Sequence, residues 1–395
     1  MIRRPPRSTH CISSAASDVY KRQIESSQYI NGPAVQEFSS NLAKYMSVKH
    51  VIPCANGTDA LQVALMALEL NPGDEIITTD FTFAATVEVI ALLNLKPILI
   101  DVDLETFNID CDKLVNAIGP KTKAIVPVHL FGQPADMEKI MQISKEHNLY
   151  VIEDNAQAIG AKYQFKSGIK KKVGTIGDIG TTSFFPSKNL GCFGDGGALF
   201  TNNDELAIKI RGIVNHGMYK RYHHDVVGVN SRLDSVQAAI LNAKLPYLNS
   251  YNKSRQDSAR KYSEALKNCN QIITPILSKG CAEICGSCDC HVFHQYTIRI
   301  ISKKRDQLAS LGLEFSNDEI ISSRETAEIF LSFNQPEGPL GVLGNVGNKF
   351  NIPNISCFEL EQDLDMFDEM NSFTVSYTHL TLPTICSVDL GGRRI

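Results

Sequence analysis

An α/β architecture with a mostly parallel central sheet, in a large domain followed by a smaller C-terminal α/β domain, is what the sequence predicts. Three observations lead there. Strand-length apolar runs alternate with segments of helical period between residues 50 and 154. The runs are apolar throughout rather than alternating, as strands buried on both faces of a parallel sheet are. Repeated βα units imply right-handed crossovers and a doubly wound sheet.

The elements follow in order. Residues 34–46 place Val35, Phe38, Leu42 and Tyr45 at helical spacing. HVIPC (50–54) is a short strand ending at a Gly-Thr turn. Residues 59–70 form a helix with Leu61, Ala64, Leu65 and Leu68 on one face, stopped by Asn71-Pro72-Gly73-Asp74. EIITT (75–79), KPILIDV (96–102), KAIVPVHL (123–130) and LYVIED (149–154) read as buried strands. Helices near 84–93, 110–118 and 136–147 separate them. TTSFFP (181–186) and GALFTN (197–202) are further strands. After Leu233 a long helix over 234–268 leads to a strand at 294–300 and a helix near 303–311. From about 311 to 370 the pattern weakens, and no repeat of 20–50 residues is present.

The two ends differ from the rest. Residues 1–23 and 375–395 carry no helical or strand period. Both resemble peptides that arise when sequencing-adapter DNA is translated in frame with a gene fragment, most closely at SSAASDVYKRQ and VSYTHLTLPTICSV. They are expected to be artefactual or disordered, flanking a large domain at 24–233 and a smaller one at 234–374. The first segment carries a net +4 and the last +1, so a chain of formal charge -4 has -9 in between. Such an acidic body argues against a nucleic-acid partner. No run of about 18 apolar residues exists, so no membrane helix is expected. No apolar leader follows Met1, and the eleven cysteines are irregularly spaced, which points to a cytoplasmic protein with reduced thiols.

Nucleotide motifs are missing: there is no GxGxxG after the first strand and no GxxxxGK[ST], and Gly174, Gly177 and Gly180 lack the tight first pair. SFFPSKNLGCFGDGG (183–197) is more informative. Lys188 sits in a Pro- and Gly-rich turn just after a strand, where a charged lysine is costly; Schiff-base chemistry is one good reason to place it there, a surface turn the bland one. Asp154 ends its strand, where an ionised carboxylate could pair with a protonated pyridine nitrogen or simply cap the next helix. Gly57-Thr58 opens a helix, whose free N–H groups and dipole suit a phosphate. Phe83 could stack on a flat ring or pack in the core.

Together these segments resemble a family. ANGTDALQVAL (55–65), PGDEIITTDFTFAAT (72–86), PVHLFGQPADM (127–137), VIEDNAQAIGA (151–161), SFFPSKNLGCFGDGG (183–197) and GVNSRLDSVQAAIL (228–241) stand in the order found in nucleotide-sugar aminotransferases of the DegT/StrS type. These are fold-type-I pyridoxal-phosphate (PLP) enzymes, and the resemblance covers about residues 24–305. It implies that Lys188 is the Schiff-base lysine and Asp154 the acid at the pyridine nitrogen. Gln157 would lie near the ring hydroxyl and ring face, and Phe83 on the ring. Gly57, Thr58 and Ser183 would cradle the phosphate, and Asn230 would reach the phosphate of a neighbouring subunit, making a homodimer with shared sites. Arg232 and His223 would lie on the substrate side. Lys188 separates this chain from family members that carry histidine there and act as dehydratases. The implied reaction moves an amino group from glutamate to a nucleotide-linked keto sugar for surface polysaccharide biosynthesis. The freed Lys188 amine would carry the proton between the amino-acid Cα and the cofactor C4′. A UDP-linked 3-keto uronic sugar and a 4-keto-6-deoxy sugar are both open.

The chain also departs from the family. Its Tyr-Pro-x-Pro-Leu-His type stretch is missing after the 294–300 strand, and 311–358 does not match, through a local frame error or divergence. A PLP-binding homologue without turnover is the alternative function, and a cofactor-free binding module the third. Cys281, Cys285, Cys288 and Cys290 read as a variable cysteine-rich loop rather than a zinc site, so no metal is expected. Cys54 and His129 read as packed core residues rather than a thiol enzyme's pair.

Overall fold

The structure, a computed structural model, describes residues 24–268, 272–277, 290–300, 376–377 and 385–389. The first 23 residues, Cys281, Cys285 and Cys288, the helix expected near 303–311 and the unmatched stretch 311–358 lie outside the described residues.

Helix α1 (Pro33–Met46) precedes β1 (His50–Cys54), α2 (Gly57–Ala67), β2 (Glu75–Thr79), α3 (Ala84–Leu92), β3 (Lys96–Ile100), α4 (Cys111–Ala117), β4 (Thr122–Val126), α5 (Met137–His147) and β5 (Tyr150–Asp154). A small hairpin, β6 (Lys162–Gln164) and β7 (Lys170–Lys172), leads to β8 (Ile179–Ser183) and β9 (Gly197–Thr201). Seven strands form the central sheet in the order β1-β9-β8-β5-β4-β2-β3. Only β9 is reversed, antiparallel to β1 and β8; every other neighbouring pair is parallel.

The unbroken apolar runs have a direct structural cause. Successive side chains of a strand point to opposite faces, and both faces are covered. Ile76 and Ile152 pack with α2, α3 and helix α6 (Asp204–Ile213). Their neighbours Ile77 and Val151 pack on the other face against Leu114, Met137 and Ile140 of α4 and α5. Helix α1 joins a third cluster, where Phe38 meets Phe184 edge-on with ring centroids 5.3 Å apart.

Several boundaries differ from expectation. The strand expected over 123–130 stops at Val126, because Pro127 has no N–H for the ladder, and a 3-10 turn follows at Leu130–Gly132. The 96–102 strand stops at Ile100, and the 181–186 strand is Ile179–Ser183. Helix α2 starts two residues early, at Gly57, because the Asn56 side chain accepts from the Asp59 N–H and caps it. Helix α6 was not anticipated; Asn203 caps it by accepting from the N–H groups of Glu205 and Leu206. Nor was the hairpin of β10 (Met218–Lys220) and β11 (His223–His224). The single helix expected over 234–268 is broken by Pro246 into α7 (Ser235–Lys244), a 3-10 turn (Leu245–Tyr247) and α8 (Leu248–Leu266). A second, antiparallel sheet has the order β12-β13-β15-β14, with β12 (Ile272–Ile273), β13 (Gln295–Ile300), β14 (Ser376–Tyr377) and β15 (Ile385–Asp389). Its last two strands fall within 375–395, where no strand period is visible in the sequence.

One buried carboxylate ties the sheet's centre to the loop after it. Glu153 of β5 has no solvent exposure. Its oxygens accept from the backbone N–H of Gly174 at 2.7 Å, Ile176 at 2.6 Å and Gly177 at 2.7 Å, and from the ring of His129 at 2.9 Å. His129 Nδ1 accepts from the Ala135 N–H at 3.1 Å, so its proton sits on Nε2 and is donated to Glu153. The glycine spacing that resembled a nucleotide loop is thereby explained. Gly174 has φ of 84°, and a Cβ on Gly180 would lie 1.9 Å from the Gly174 carbonyl oxygen. Glu153→Ala strands three backbone donors, each costing about 1–3 kcal/mol, so chemical denaturation should show a loss of at least about 3 kcal/mol. A loss below about 1 kcal/mol would show that water replaces the carboxylate.

Candidate functional site

The parallel strands end on one edge of the sheet, where open α/β sheets bind ligands. β1, β8, β5 and β2 deliver there, respectively, the Gly57 turn, Ser183, Asp154 and the loop carrying Phe83. Reversed β9 starts at the same edge: Gly197 pairs with Cys54 on one side and Ser183 on the other.

Gly57 and Ser183 come together closely. A Cβ on Gly57 would lie 2.7 Å from the Ser183 Cβ, and one on Gly197 would lie 2.3 Å from the Asn56 carbonyl oxygen. Only backbone fits, so the first turn of α2 presses against the end of β8. Asn56 caps the Asp59 N–H, and the first-turn N–H groups of Gly57 and Thr58 have no intrahelical acceptor. They make the positive end of a helix dipole. Ser183 Oγ accepts from the Phe185 N–H at 3.2 Å and keeps its own proton to donate.

Asp154 is buried, one strand along from Ser183, in register with Thr181 of β8. Its Oδ1 accepts from the Ala156 N–H at 3.1 Å and its Oδ2 from the Thr86 hydroxyl at 2.9 Å. Gln157, in the turn beyond, accepts through Oε1 from the Phe131 N–H at 2.6 Å, which leaves its amide N–H groups to donate. Phe83, the residue before α3, is 67% exposed, so its ring is a free face at this edge rather than core.

Lys188 is half-buried in the turn after β8, its N–H bonded to the Phe185 carbonyl. The next residue is clamped. Asn189 donates to Asn252 of α8 at 2.8 Å and to the Val292 carbonyl at 3.2 Å, and meets His294 Nδ1 at 3.2 Å. Burial drives His294 well below the usual histidine range, with the charges of Lys188 and Arg255 adding to it. A neutral imidazole is therefore the neighbour of the lysine turn.

Asn230 is exposed and pairs with Asn215 in a short bridge; Arg232 is half-buried. Between them Ser231 is fully buried and accepts from the Ala55 N–H at 3.0 Å, which fastens this loop to the base of α2. His223 stands exposed on the β10–β11 hairpin, whose first strand packs on α6 rather than on this cluster. Thr86, Ser231, Asn189 and His294 were not singled out from the sequence. Thr86 and Ser231 fall inside the quoted family segments, where a hydroxyl at a helix's first turn or between two polar residues was the available signal. Burial raises the Cys54 thiol, and His129 is engaged by Glu153, so neither forms a thiol centre. Among the described residues no group of three or more His, Cys, Asp or Glu is placed to hold a metal. No helix among them is long and apolar enough to cross a membrane.

A half-buried lysine, a buried carboxylate and a helix N-terminus thus stand on one edge of the sheet. Comparison with known proteins assigns the class: a sequence profile of the DegT/DnrJ/EryC1/StrS aminotransferase family matches residues 10–324, and the chain belongs to that family. The match begins inside the N-terminal segment expected to be artefactual and ends inside the stretch that had seemed unrelated. The chain is 49% identical over 287 residues to the "Pleiotropic regulatory protein" of Geobacillus stearothermophilus, spanning 72% of this chain and 73% of that one. It is 46% identical to the "UDP-2-acetamido-2-deoxy-3-oxo-D-glucuronate aminotransferase" of Pseudomonas aeruginosa, over 73% of this chain and 76% of that one. The crystal structure of NtdA from Bacillus subtilis with bound cofactor PMP superposes with a TM-score of 0.67 at 33% identity, over 76% of this chain and 66% of that one. The residues here fit such a cofactor: with no Cβ at Gly57 the α2 N-terminus and Ser183 meet closely, and their N–H and O–H donors suit a phosphate.

Burial also depresses His291, to about 3, with the Gly132 carbonyl opposing. Between pH 6.5 and about 3 the unfolded chain binds a proton there that the folded chain does not. Stability is therefore lost as pH falls through that window. His291→Gln should flatten the slope of unfolding free energy against pH in acid; an unchanged slope would mean that other groups carry it.

Proposed function

We propose that this protein is a PLP-dependent aminotransferase that moves an amino group from glutamate to a nucleotide-linked keto sugar, with a UDP-linked N-acetylated 3-keto uronic sugar as first choice. The observation that carries the reaction type is the convergence of Gly57, Ser183, Asp154 and Lys188 on one sheet edge in a member of an aminotransferase family. The choice of sugar is supported by the name of the 46% identical Pseudomonas relative. A 4-keto-6-deoxy sugar is the competing substrate, and 35% identity to a "dTDP-3-amino-3,4,6-trideoxy-alpha-D-glucose transaminase" of Streptomyces venezuelae keeps dTDP sugars in the comparison.

When bound, the cofactor supplies a carbonyl that exchanges amines and a ring that accepts an electron pair. The chain's own residues do the rest. The N–H groups of Gly57 and Thr58 and the Ser183 hydroxyl bind the phosphate. Asp154 holds a proton on the pyridine nitrogen. Lys188 Nζ would hold the cofactor's carbonyl carbon and move a proton to and from the substrate carbon. Gln157 offers its amide N–H to the ring hydroxyl, and Phe83 covers the ring. Asn230, exposed in the monomer, reaches the phosphate of a second copy, so the working unit is a homodimer; Arg232 and His223 face the sugar. A cytoplasmic location and a role in surface polysaccharide biosynthesis complete the proposal.

Incubation with glutamate and the UDP-linked 3-keto uronic sugar should yield 2-oxoglutarate and amino sugar in equal amounts. Asp154→Ala should lower that rate on the order of 10³-fold while leaving the fold intact. Turnover of the 4-keto-6-deoxy sugar alone would reassign the substrate, and no 2-oxoglutarate with either sugar would overturn the donor.

A further inference from the structure

Asp154 carries a hydrogen-bond chain that fixes which way its charge points. Three buried side chains are linked in a chain. Thr82, Thr86 and Asp154 are 3%, 1% and 5% exposed. The Thr82 and Thr86 hydroxyls lie 3.1 Å apart, and the Thr86 hydroxyl is 2.9 Å from Asp154 Oδ2.

The directions follow from proton counting. An ionised carboxylate only accepts, and a hydroxyl has one proton. Thr86 therefore gives its proton to Asp154 and must accept from Thr82. The other carboxylate oxygen, Oδ1, accepts from the Ala156 N–H at 3.1 Å. Each oxygen thus accepts from its own donor, and rotating the carboxylate would cost those bonds. The position of Thr86 adds a field. It lies in the first turn of α3, a helix with no side-chain cap and no acidic residue of its own in that turn. The Asp154 carboxylate meets that turn from outside the helix, where the dipole favours an anion.

Resting on the proposed cofactor reading, we infer that Thr86, backed by Thr82, is a positioning residue that holds the Asp154 carboxylate aimed at the cofactor's ring nitrogen. The chain has a chemical consequence. A carboxylate already accepting a strong hydrogen bond is a weaker base, so the proton shared with the ring stays on the nitrogen. Without Thr86 the freed carboxylate draws that proton toward itself, and the ring loses cationic character. Charge-assisted hydrogen bonds contribute enough for roughly a tenfold effect or more on the rate.

The test compares wild type with Thr86→Val, Thr86→Ser and Thr82→Val, each loaded with PLP labelled with ¹⁵N at the ring nitrogen. In wild type the nitrogen resonance should sit at the pyridinium position. Thr86→Val should move it toward the neutral-pyridine position and lower kcat roughly tenfold, with KM for the keto sugar unchanged. Thr86→Ser should restore both, and Thr82→Val should give a smaller shift of the same sign. A Thr86→Val protein with wild-type ¹⁵N shift and kcat overturns the inference while leaving the aminotransferase reading standing. A shift unchanged but KM raised would make Thr86 a substrate-side or packing residue, which also overturns it. Wild type that retains no PLP on gel filtration would instead sink the cofactor reading itself.

Discussion

The end of β5, which carries Asp154, depends on one buried carboxylate, that of Glu153. Glu153 and Asp154 are consecutive on β5, so their side chains leave opposite faces of the same strand. Glu153 is gripped on one side by three backbone N–H groups and the His129 ring. That grip locks the strand's end in position and in rotation, and the position of Asp154 on the other face follows. The backbone joins in, since the His129 N–H is bonded to the Asp154 carbonyl at 3.0 Å and the Asp154 N–H to the Pro127 carbonyl at 2.9 Å. A carboxylate in the interior is costly unless its lone pairs are used. Here the four donors meet that condition, and the glycine-rich loop at 174–180 supplies three of them.

A second constraint is steric. The proposed phosphate end of the site lacks side chains at Gly57 and Gly197. Their absence lets α2, β8 and β9 close together, with the N-terminus of α2 against Ser183. The lysine turn is held from the far side. Asn189 reaches α8 and the segment just before β13, so the C-terminal part of the chain braces the residue next to Lys188. The turn carrying Lys188 is therefore braced both by the large sheet and by elements that follow residue 234.

Much of this was legible in the sequence because burial on two faces writes itself as unbroken apolar runs. EIITT and VIED placed β2 and the end of β5 correctly, and Asn71-Pro72-Gly73-Asp74 forms the turn before β2 that its composition implies. What stayed hidden was long-range. Nothing local in Thr86 announces a bond to a residue 68 positions away. The pairing of Ser231 with Ala55 spans 176 positions. The Gly174-Gly177-Gly180 spacing looked like a failed nucleotide loop because its ligand is a side chain of the same protein. The break at Pro246 was masked, since the helical period continues on either side of it.

Lys188 is proposed as the residue that links to PLP. Reduction of the yellow holoenzyme with borohydride, followed by proteolysis and mass mapping of the pyridoxyl adduct, tests it most directly. One modified peptide, containing Lys188, is expected, with no adduct in Lys188→Ala. An adduct on any other lysine, or one that survives in Lys188→Ala, would contradict it.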